Sequence, residues 1–479
     1  NVTSTAAELN ILDGVTSTAA ELNILDGVTS TAAELNILDG VTSTATEINT
    51  LDAIDRGSIL YGNASGVTTV LGQGSADQVL TSDGTDISWE DASGGGASAI
   101  DGLSDAVSGI TNFTNSLILG HQTTGTLDSA DGNTAVGYAA LDAITSGDNN
   151  VAVGYLSLSA NTTGSLNTAV GQASLDANTT GAYNTALGSN ALGANTTAND
   201  NTAVGTNALL ANTTGATNTA LGNSALYANT TAANNVAVGK NSLLSNTTGA
   251  SNVAVGAYAL DANIASSENT AVGYNSLTAN TTGIRNTAIG INTLAANTTG
   301  ASSVAIGWQA LMANNTAGQV GIGHAALTAN TTGASNTAVG SLSLEDNTTG
   351  GYNTAVGYNA LKDNTTADNN TGLGYGALAA NETGHSNTAV GKGALTAATT
   401  AITNTAVGFD ALAATTTGSY NVAVGYQAGL VSTTGANNIL IGYQVGRAMT
   451  TAGHNTFIGN GAGDDCTTGG ANLAIGNNA

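Results

Sequence analysis

The amino-acid sequence predicts a mostly β, elongated fold whose larger part is a parallel β-solenoid of 17-residue turns. A glycine returns at steps of 17 residues from Gly120 to Gly476, with one step of 16 between Gly307 and Gly323. None of the 479 residues is proline, so every backbone N–H can donate to a ladder. Only 8% of residues are charged and 4% aromatic, which is typical neither of globular domains nor of charged disordered chains.

Residues 1–53 form the first segment, in which the 13-residue repeat VTSTAAELNILDG occurs three times and is followed by VTSTATEINTLDA. Thr5 and Glu8 have the spacing of a capping box, and Asp13-Gly14 stops a helix. This pattern predicts a stalk of short helices joined by extended links. Helices of one to two turns are not stable alone, so we expect their apolar residues to bury against partner chains.

Residues 54–94 interrupt the repeat with short β-type runs between Gly and Asp-Gly turns. They predict a small β module with Tyr61, Leu80 and Trp89 in its core. Residues 95–119 predict a Gly-rich link and a short coiled-coil neck, because apolar residues then follow at spacings of three and four. The residues of this seam are Ile100, Leu103, Val107, Ile110, Phe113 and Leu117.

Residues 120–479 predict the solenoid of 22 turns, each close to N-T-A-V-G, x-x-A-L-x-A, N-T-T-G-x-x. An aliphatic residue precedes the glycine in all 22 turns, and Leu follows it by four residues in 17 consecutive turns, Leu141 to Leu412. Alternate residues of a strand point to opposite faces, so Thr and Val share one face while Asn and Ala share the other. As the large apolar positions, Val and Leu are expected to point into the coil.

Small and amide residues complete the repeat. Ala precedes the aliphatic residue in 17 of 22 turns, which predicts an outer Ala face where a second coil can approach. Asn begins 19 of 21 turns from Asn133 onward, and a second Asn recurs in 14 turns from Asn161 to Asn381. We expect these amides to hydrogen-bond from turn to turn, and the TTG glycine to supply a positive φ. Asn-Thr-Thr also fits the glycosylation pattern, but a repeated corner residue explains it.

The net charge and the lack of reactive side-chain clusters exclude several classes of function. A net charge of −26 with six scattered basic residues argues against binding to nucleic acid or anionic membranes, and no apolar run is long enough to insert into a bilayer. The single cysteine, Cys466, excludes an internal disulfide. The histidines occupy different phases of the repeat, and no paired carboxylates mark the one short turn. We therefore predict no enzyme activity, no metal and no cofactor. The histidines are His121, His324, His385 and His454.

One phase of the repeat carries aromatic residues directly after the glycine. Such a stripe on a rigid surface can contact glycans, and the alternative is corner packing between neighbouring chains. The candidate ligand-contact residues are Tyr138, Tyr155, Tyr274, Trp308, Tyr358, Tyr375, Phe409, Tyr426 and Tyr443.

Two resemblances suggest a biological class. The N-T-A-V-G-Y-x-A-L pattern resembles the S-x-A-I-G-x-x-A repeats in the heads of trimeric autotransporter adhesins, which are left-handed parallel β-rolls packed as homotrimers. Those repeats usually have 14 residues, so 17-residue turns imply a longer corner. The VTSTAAELNILDG repeats, with GSILYGNASG and DQVLTSDGTDISWED after them, resemble segments of bacteriophage tail fibres, especially of marine and cyanobacterial phages, which are typically homotrimeric.

These resemblances imply an extracellular, homotrimeric fibre: the shaft of a phage tail fibre in a virion, joined to other fibre or virion proteins at its ends and contributing to binding of host-surface glycans. Both ends of the sequence look cut from a longer protein. An alternative is a bacterial surface adhesin or extracellular filament subunit. A polysaccharide-degrading spike is a third class, which the lack of paired carboxylates disfavours.

Overall fold

The computed structural model describes residues 55–76, 78–91, 106–108, 113–114, 117–119 and 128–479. The chain divides into two units, residues 1–102 and 103–479, and each is described by itself. Every regular secondary-structure element within the described ranges is a β-strand. The stalk of short helices expected in residues 1–53 lies outside these ranges.

Two antiparallel hairpins make up the described part of the first unit. They pair β1 (Ile59–Gly62) with β2 (Thr68–Leu71), and β3 (Gln78–Ser82) with β4 (Ile87–Asp91). The second hairpin turns at the expected Asp-Gly, where the Oδ1 of Asp83 accepts hydrogen bonds from the backbone N–H groups of Asp86 and Thr85 at 2.8 Å each. These bonds favour the carboxylate and lower the pKa of Asp83.

The core of this β module is smaller than the sequence predicts. Trp89 is half-buried against Gly74 and donates its Nε1–H to the carbonyl of Gly72 at 2.5 Å, and Tyr61 is also half-buried. Leu80, which faces Trp89 across the ladder, is 40% exposed, so its placement in a core is wrong. Two-stranded hairpins offer too little area to enclose a side chain from every direction.

The predicted coiled-coil neck differs from the structure. The described residues of 95–119 are strands: β5 (Ala106–Ser108), β6 (Phe113–Thr114) and β7 (Leu117–Leu119). β7 pairs in parallel with the first repeat strand, placing buried Ile118 beside Ala135. Val107, Phe113 and Leu117 therefore lie in strands rather than in a helical seam, and the other seam residues, Ile100, Leu103 and Ile110, lie outside the described ranges. The parallel ladder of the described residues thus includes β7, which ends one residue before Gly120.

The remaining contacts of these first strands are local. β5 pairs antiparallel with β7, and β6 pairs in parallel with β8 (Ala130–Asp131).

One three-residue strand per turn builds the rest of the coil. Each strand is parallel to the next, and Thr, Ala and Val phases align without slip, even across the 16-residue turn. The strands are β9 (Thr134–Val136), β10 (Val151–Val153), β11 (Thr168–Val170), β12 (Thr185–Leu187), β13 (Thr202–Val204), β14 (Thr219–Leu221), β15 (Val236–Val238), β16 (Val253–Val255), β17 (Thr270–Val272), β18 (Thr287–Ile289), β19 (Val304–Ile306), β20 (Val320–Ile322), β21 (Thr337–Val339), β22 (Thr354–Val356), β23 (Thr371–Leu373), β24 (Thr388–Val390), β25 (Thr405–Val407), β26 (Val422–Val424), β27 (Ile439–Ile441), β28 (Thr456–Ile458) and β29 (Leu473–Ile475).

The interior is lined by Leu, Ala and Asn rather than by Leu and Val. Leu209 and Ala203 are fully buried, as is Asn201, whereas Val204 lies outward and Leu187, at the same phase, is 47% exposed. The expectation that Leu points inward is confirmed. The expectation that Val points inward and Ala outward is wrong, because the closed 17-residue coil is too narrow for anything larger than Ala opposite the Leu column. In the described strands the Ala position is buried, so it offers no outer face for contact between coils.

Glycine is required at two corners for different reasons. Gly171 ends its strand with a φ of 139°, and a Cβ there would lie 2.4 Å from the carbonyl oxygen of Gly188. Gly181, in the TTG corner, has no positive φ; a Cβ would lie 2.4 Å from the carbonyl oxygen of Ala198. Close approach of successive turns, not the φ predicted from the sequence, requires that glycine.

In the last turns, the large interior side chain moves from the Leu position to the Ala position. The Leu position becomes glycine at Gly429, Gly446 and Gly463, while the Ala position becomes Leu440 and then Phe457. A Cβ on Gly463 would lie 2.3 Å from the Phe457 ring, so the ring occupies the space that Leu fills elsewhere. This exchange conserves core volume.

Candidate functional site

The residues that directly follow the repeat glycines form an exposed line along the coil, here named the corner column. Each glycine ends a strand, so the next side chain stands at the corner, one turn from its neighbours at the same phase. All nine aromatic residues predicted as ligand contacts lie on the corner column and are between 38% and 61% exposed. Their predicted exposure is confirmed; ligand contact remains a prediction.

Most of these rings stack on one another. The ring centroids lie 5.5 Å apart in Tyr138–Tyr155, 5.3 Å in Tyr358–Tyr375, and 5.2 Å in both Phe409–Tyr426 and Tyr426–Tyr443, with interplanar angles of 9° to 21°. Near-parallel, offset rings at this separation attract each other. The strand spacing of the solenoid sets this distance.

The corner column also contains His324 and Lys392, which are not among the nine predicted aromatic residues. His324 stacks on Trp308 with centroids 4.9 Å apart. The Lys392 Nζ lies 5.7 Å from the Tyr375 centroid and 5.6 Å from that of Phe409, so its ammonium bridges two rings. Both residues directly follow a repeat glycine, and that shared phase is the signal that could have identified them.

A second cation lies near an edge-to-face pair. Tyr258 packs edge-to-face against Tyr274 at 6.0 Å, and the Lys240 Nζ lies 6.0 Å from the Tyr258 centroid. Tyr258 is two residues after its glycine and has a φ of 60°, so it reaches the column from the neighbouring position.

The longest stacked run covers six consecutive turns, from Tyr358 through Lys392 to Tyr443. Within it, ring faces are largely occupied by their neighbours. What it presents to a ligand is a row of ring edges and tyrosine hydroxyls around one ammonium group. Such a surface favours contacts along the coil over deep insertion.

The asparagines of the repeat are used internally. The Oδ1 of Asn133 accepts from the backbone N–H of Asn150 at 3.0 Å, while the Nδ2 of Asn150 donates to the carbonyl of Gly164 at 2.9 Å. The second ladder runs through the NTT asparagines, where the Nδ2 of Asn178 donates to the Oδ1 of Asn161 at 2.8 Å. Both ladders are buried, so the structural interpretation of Asn-Thr-Thr is confirmed and its amides are not accessible to glycosylation.

The 16-residue turn breaks the second ladder once. The Nδ2 of Asn314 donates to the carbonyl of Thr316 at 2.9 Å, and the Oδ1 of Asn297 has no hydrogen-bond partner in the described part of the chain. The side chain of Asn315 compensates at the surface, because its Oδ1 accepts from the backbone N–H groups of Thr298 and Thr299 at 2.8 and 2.9 Å. The deletion thus costs one internal bond and leaves the β ladder intact.

Among the described charged groups, Arg285 pairs with Glu268 at 2.7 Å, Lys362 lies in a cluster of carboxylates, and Asp176 is half-buried. Lys362 contacts Asp363 at 3.0 Å and both Glu345 and Asp346 at 3.5 Å. The hydrogen bond to Asp363, with the charges of the three carboxylates, raises the pKa of Lys362. Burial raises the pKa of Asp176. These carboxylates face a lysine or stand singly, which does not create an acid–base pair.

No group of three or more His, Cys, Asp or Glu residues able to hold a metal occurs in the ranges that the structure describes. His324 stacks in the corner column, and His385 contacts the hydroxyl of Ser386 at 3.1 Å. His121 lies outside the described ranges. Among the described residues, no helix has the length and apolar character to cross a membrane. Comparisons with models of protein families, with curated proteins and with solved structures found no match to this chain.

Proposed function

We propose that the chain is the shaft of a homotrimeric fibre that holds a recognition element away from its base, as in the tail fibre of a bacteriophage. The observation that carries this proposal is the outward face of the sheet formed by β9–β29. Every outward side chain of these strands is Thr, Val, Ile or Leu, without a single charge. In a chain with a net charge of −26, such a face favours contact with another copy of itself.

The size of this face supports self-association. Its 21 strands at the usual strand spacing extend over about 100 Å, and three residues per strand give a width of about 10 Å. The resulting area of about 1,000 Å² per chain, which two neighbours share in a trimer, is of the order of the roughly 800 Å² that each partner contributes to a standard interface. Three such faces meeting at one axis bury the aliphatic column and leave the corners outside.

The oligomeric state tests this proposal. We expect native mass spectrometry to give three chains per particle. Lysines at three adjacent outward positions, Leu187→Lys, Val204→Lys and Leu221→Lys, are expected to shift the protein to monomers, because they desolvate charge in the interface.

The matched control places the same three lysines two residues further along, at the corner column of the same turns. Ser189→Lys, Thr206→Lys and Asn223→Lys are expected to leave the trimer intact. A monomeric native protein, or equal disruption by both triple variants, contradicts the proposal.

We further propose a virion as its location and the corner column as a surface for contact with host glycans. Exposed tyrosine hydroxyls and ring edges suit hydrogen bonds and apolar contacts with sugars. Antibodies against residues 128–479 are expected to label tail fibres of purified phage in electron micrographs. Labelling of bacterial surfaces without phage supports the alternative, a surface adhesin or filament subunit.

A polysaccharide-degrading spike is the competing enzyme class. Three carboxylates surround Lys362, which neutralises part of their charge. We expect incubation with capsule or lipopolysaccharide to release no oligosaccharide. Release that is lost in an Asp363→Asn variant overturns this expectation.

A further inference from the structure

Ser341 is the one small residue among the described positions of the corner column that lies between two ring-bearing neighbours. Three of its described positions carry no ring and lie between two neighbours that do: Ile291, Ser341 and Lys392. Ile291 and Lys392 fill their positions with long side chains. Ser341 is small and half-buried, so its own side chain is too short to fill the space between its two ring-bearing neighbours.

The two rings that flank Ser341 are held by stacking on their far sides. His324 stacks on Trp308 at 4.9 Å with an interplanar angle of 13°, and Tyr358 stacks on Tyr375 at 5.3 Å and 21°. Each ring therefore turns its other face toward Ser341. Two strand spacings separate the positions of these rings, about 10 Å.

Lys392 occupies an equivalent space three turns further along the column. Its neighbours Tyr375 and Phe409 are also two turns apart, and the ammonium lies 5.7 and 5.6 Å from their centroids. The molecule itself thus places a cation between two ring-bearing corners. The ring faces carry negative quadrupole charge, which attracts ammonium groups.

We propose that His324, Ser341 and Tyr358 form a binding slot for an organic ammonium group of the choline type. The net charge of −26 favours a cationic ligand over an anionic one. A quaternary ammonium head fills the space between these rings as the Lys392 ammonium fills its own. This inference does not rest on the proposed fibre role, since it requires only the stacked corner of a folded coil.

Choline titration followed by saturation-transfer NMR tests the slot, in phosphate buffer at constant ionic strength. We expect saturable binding in the millimolar range, as contact with two rings without further anchors gives. The neutral isostere 3,3-dimethylbutan-1-ol is expected to bind about tenfold more weakly, because it lacks the charge. Equal binding of the two compounds overturns the assignment to an ammonium group.

Three variants locate the binding. Ser341→Lys is expected to abolish it by filling the slot, while Ser189→Lys, the same change at a corner without flanking rings, leaves it unchanged. Lys392→Ser opens a second slot between Tyr375 and Phe409 and is expected to double the initial slope of the titration.

Far-UV circular dichroism verifies that each variant is folded. Equal loss in Ser341→Lys and Ser189→Lys, or an unchanged slope in Lys392→Ser, overturns the proposal.

Discussion

Asn178 donates a side-chain N–H to the Oδ1 of Asn161 over 2.8 Å and a second to the carbonyl of Gly181 over 2.9 Å, both fully buried. The Asn178 amide thereby closes its own corner by a hydrogen bond and links that corner to the preceding turn. Since the next turn repeats the arrangement, the coil carries a continuous polar ladder beside its Leu column. A buried amide with all its partners stabilises and also fixes the register, because a slip of one residue leaves it unpaired.

The asparagine ladder is expected to contribute more in its middle than at its end. Asn195→Ala removes the bonds that Asn195 donates to Asn178 and Ala198 and also the bond that its Oδ1 accepts from Asn212, which should cost about 1–3 kcal/mol. Asn381→Ala should cost less, because the Oδ1 of Asn381 already has no partner in the described part of the chain. Urea denaturation of both variants checks the order, and equal losses contradict it.

Exchanging the sizes of two adjacent strand residues tests which face is inside. Ala203→Val adds two methyl groups to a filled interior and should destabilise by roughly 1–3 kcal/mol. Val204→Ala removes the same two groups from the outward face and should change the unfolding free energy of the isolated chain by less than about 1 kcal/mol. Denaturant midpoints are measured in a background with lysines at three other outward positions, Val255→Lys, Val272→Lys and Ile289→Lys, which leaves Val204 intact and avoids contributions from an interface. A larger loss for Val204→Ala contradicts the orientation described above.

A charge at the Leu column should be far more damaging than one at the corner column. Leu175→Asp buries an unpaired carboxylate and should cost at least about 3 kcal/mol locally. Gln172→Asp, three residues earlier and exposed, should change stability by less than about 0.5 kcal/mol. Hydrogen exchange of the neighbouring turns reports the local loss, since solenoid repeats need not unfold together. Similar exchange in both variants contradicts an inward Leu175.

Asp176 should make the coil less stable as the pH rises. Burial raises its pKa, so its contribution is most favourable below about pH 4, the pKa of an unfolded Asp, and is lost as the pH rises through the higher folded value. Asp176→Asn should therefore raise the denaturation midpoint at pH 7 and leave it nearly unchanged at pH 3. A gain at pH 3 that equals the gain at pH 7 contradicts a titration effect.

Several features of the coil were predictable because they follow from repetition alone. The period of the glycines predicts parallel stacking in register, the regular Leu predicts a buried column, and Asn at two phases predicts amide ladders. The aromatic residues after the glycine were correctly expected at the surface. Their stacking on His324 and around Lys392 was not, because it depends on side chains from different turns standing at one corner.

The neck shows where local spacing misleads. Val107, Phe113 and Leu117 have helical spacing, yet each belongs to a strand. Leu117 pairs with Thr134 in the strand of the first repeat. This ladder provides partners for the backbone N–H and C=O groups, and the local sequence pattern does not indicate it.

The sequence by itself determined the period, the β character and which residues share a face, since strand alternation requires Thr and Val on one side and Asn and Ala on the other. Only the tertiary structure decided which side is inside. A closed turn of 17 residues has room opposite its Leu for Ala but not for Val, and a buried Asn is stable only where the neighbouring turn offers it donors and acceptors. Both conditions arise when turns close and stack, so the more hydrophobic face lies outward.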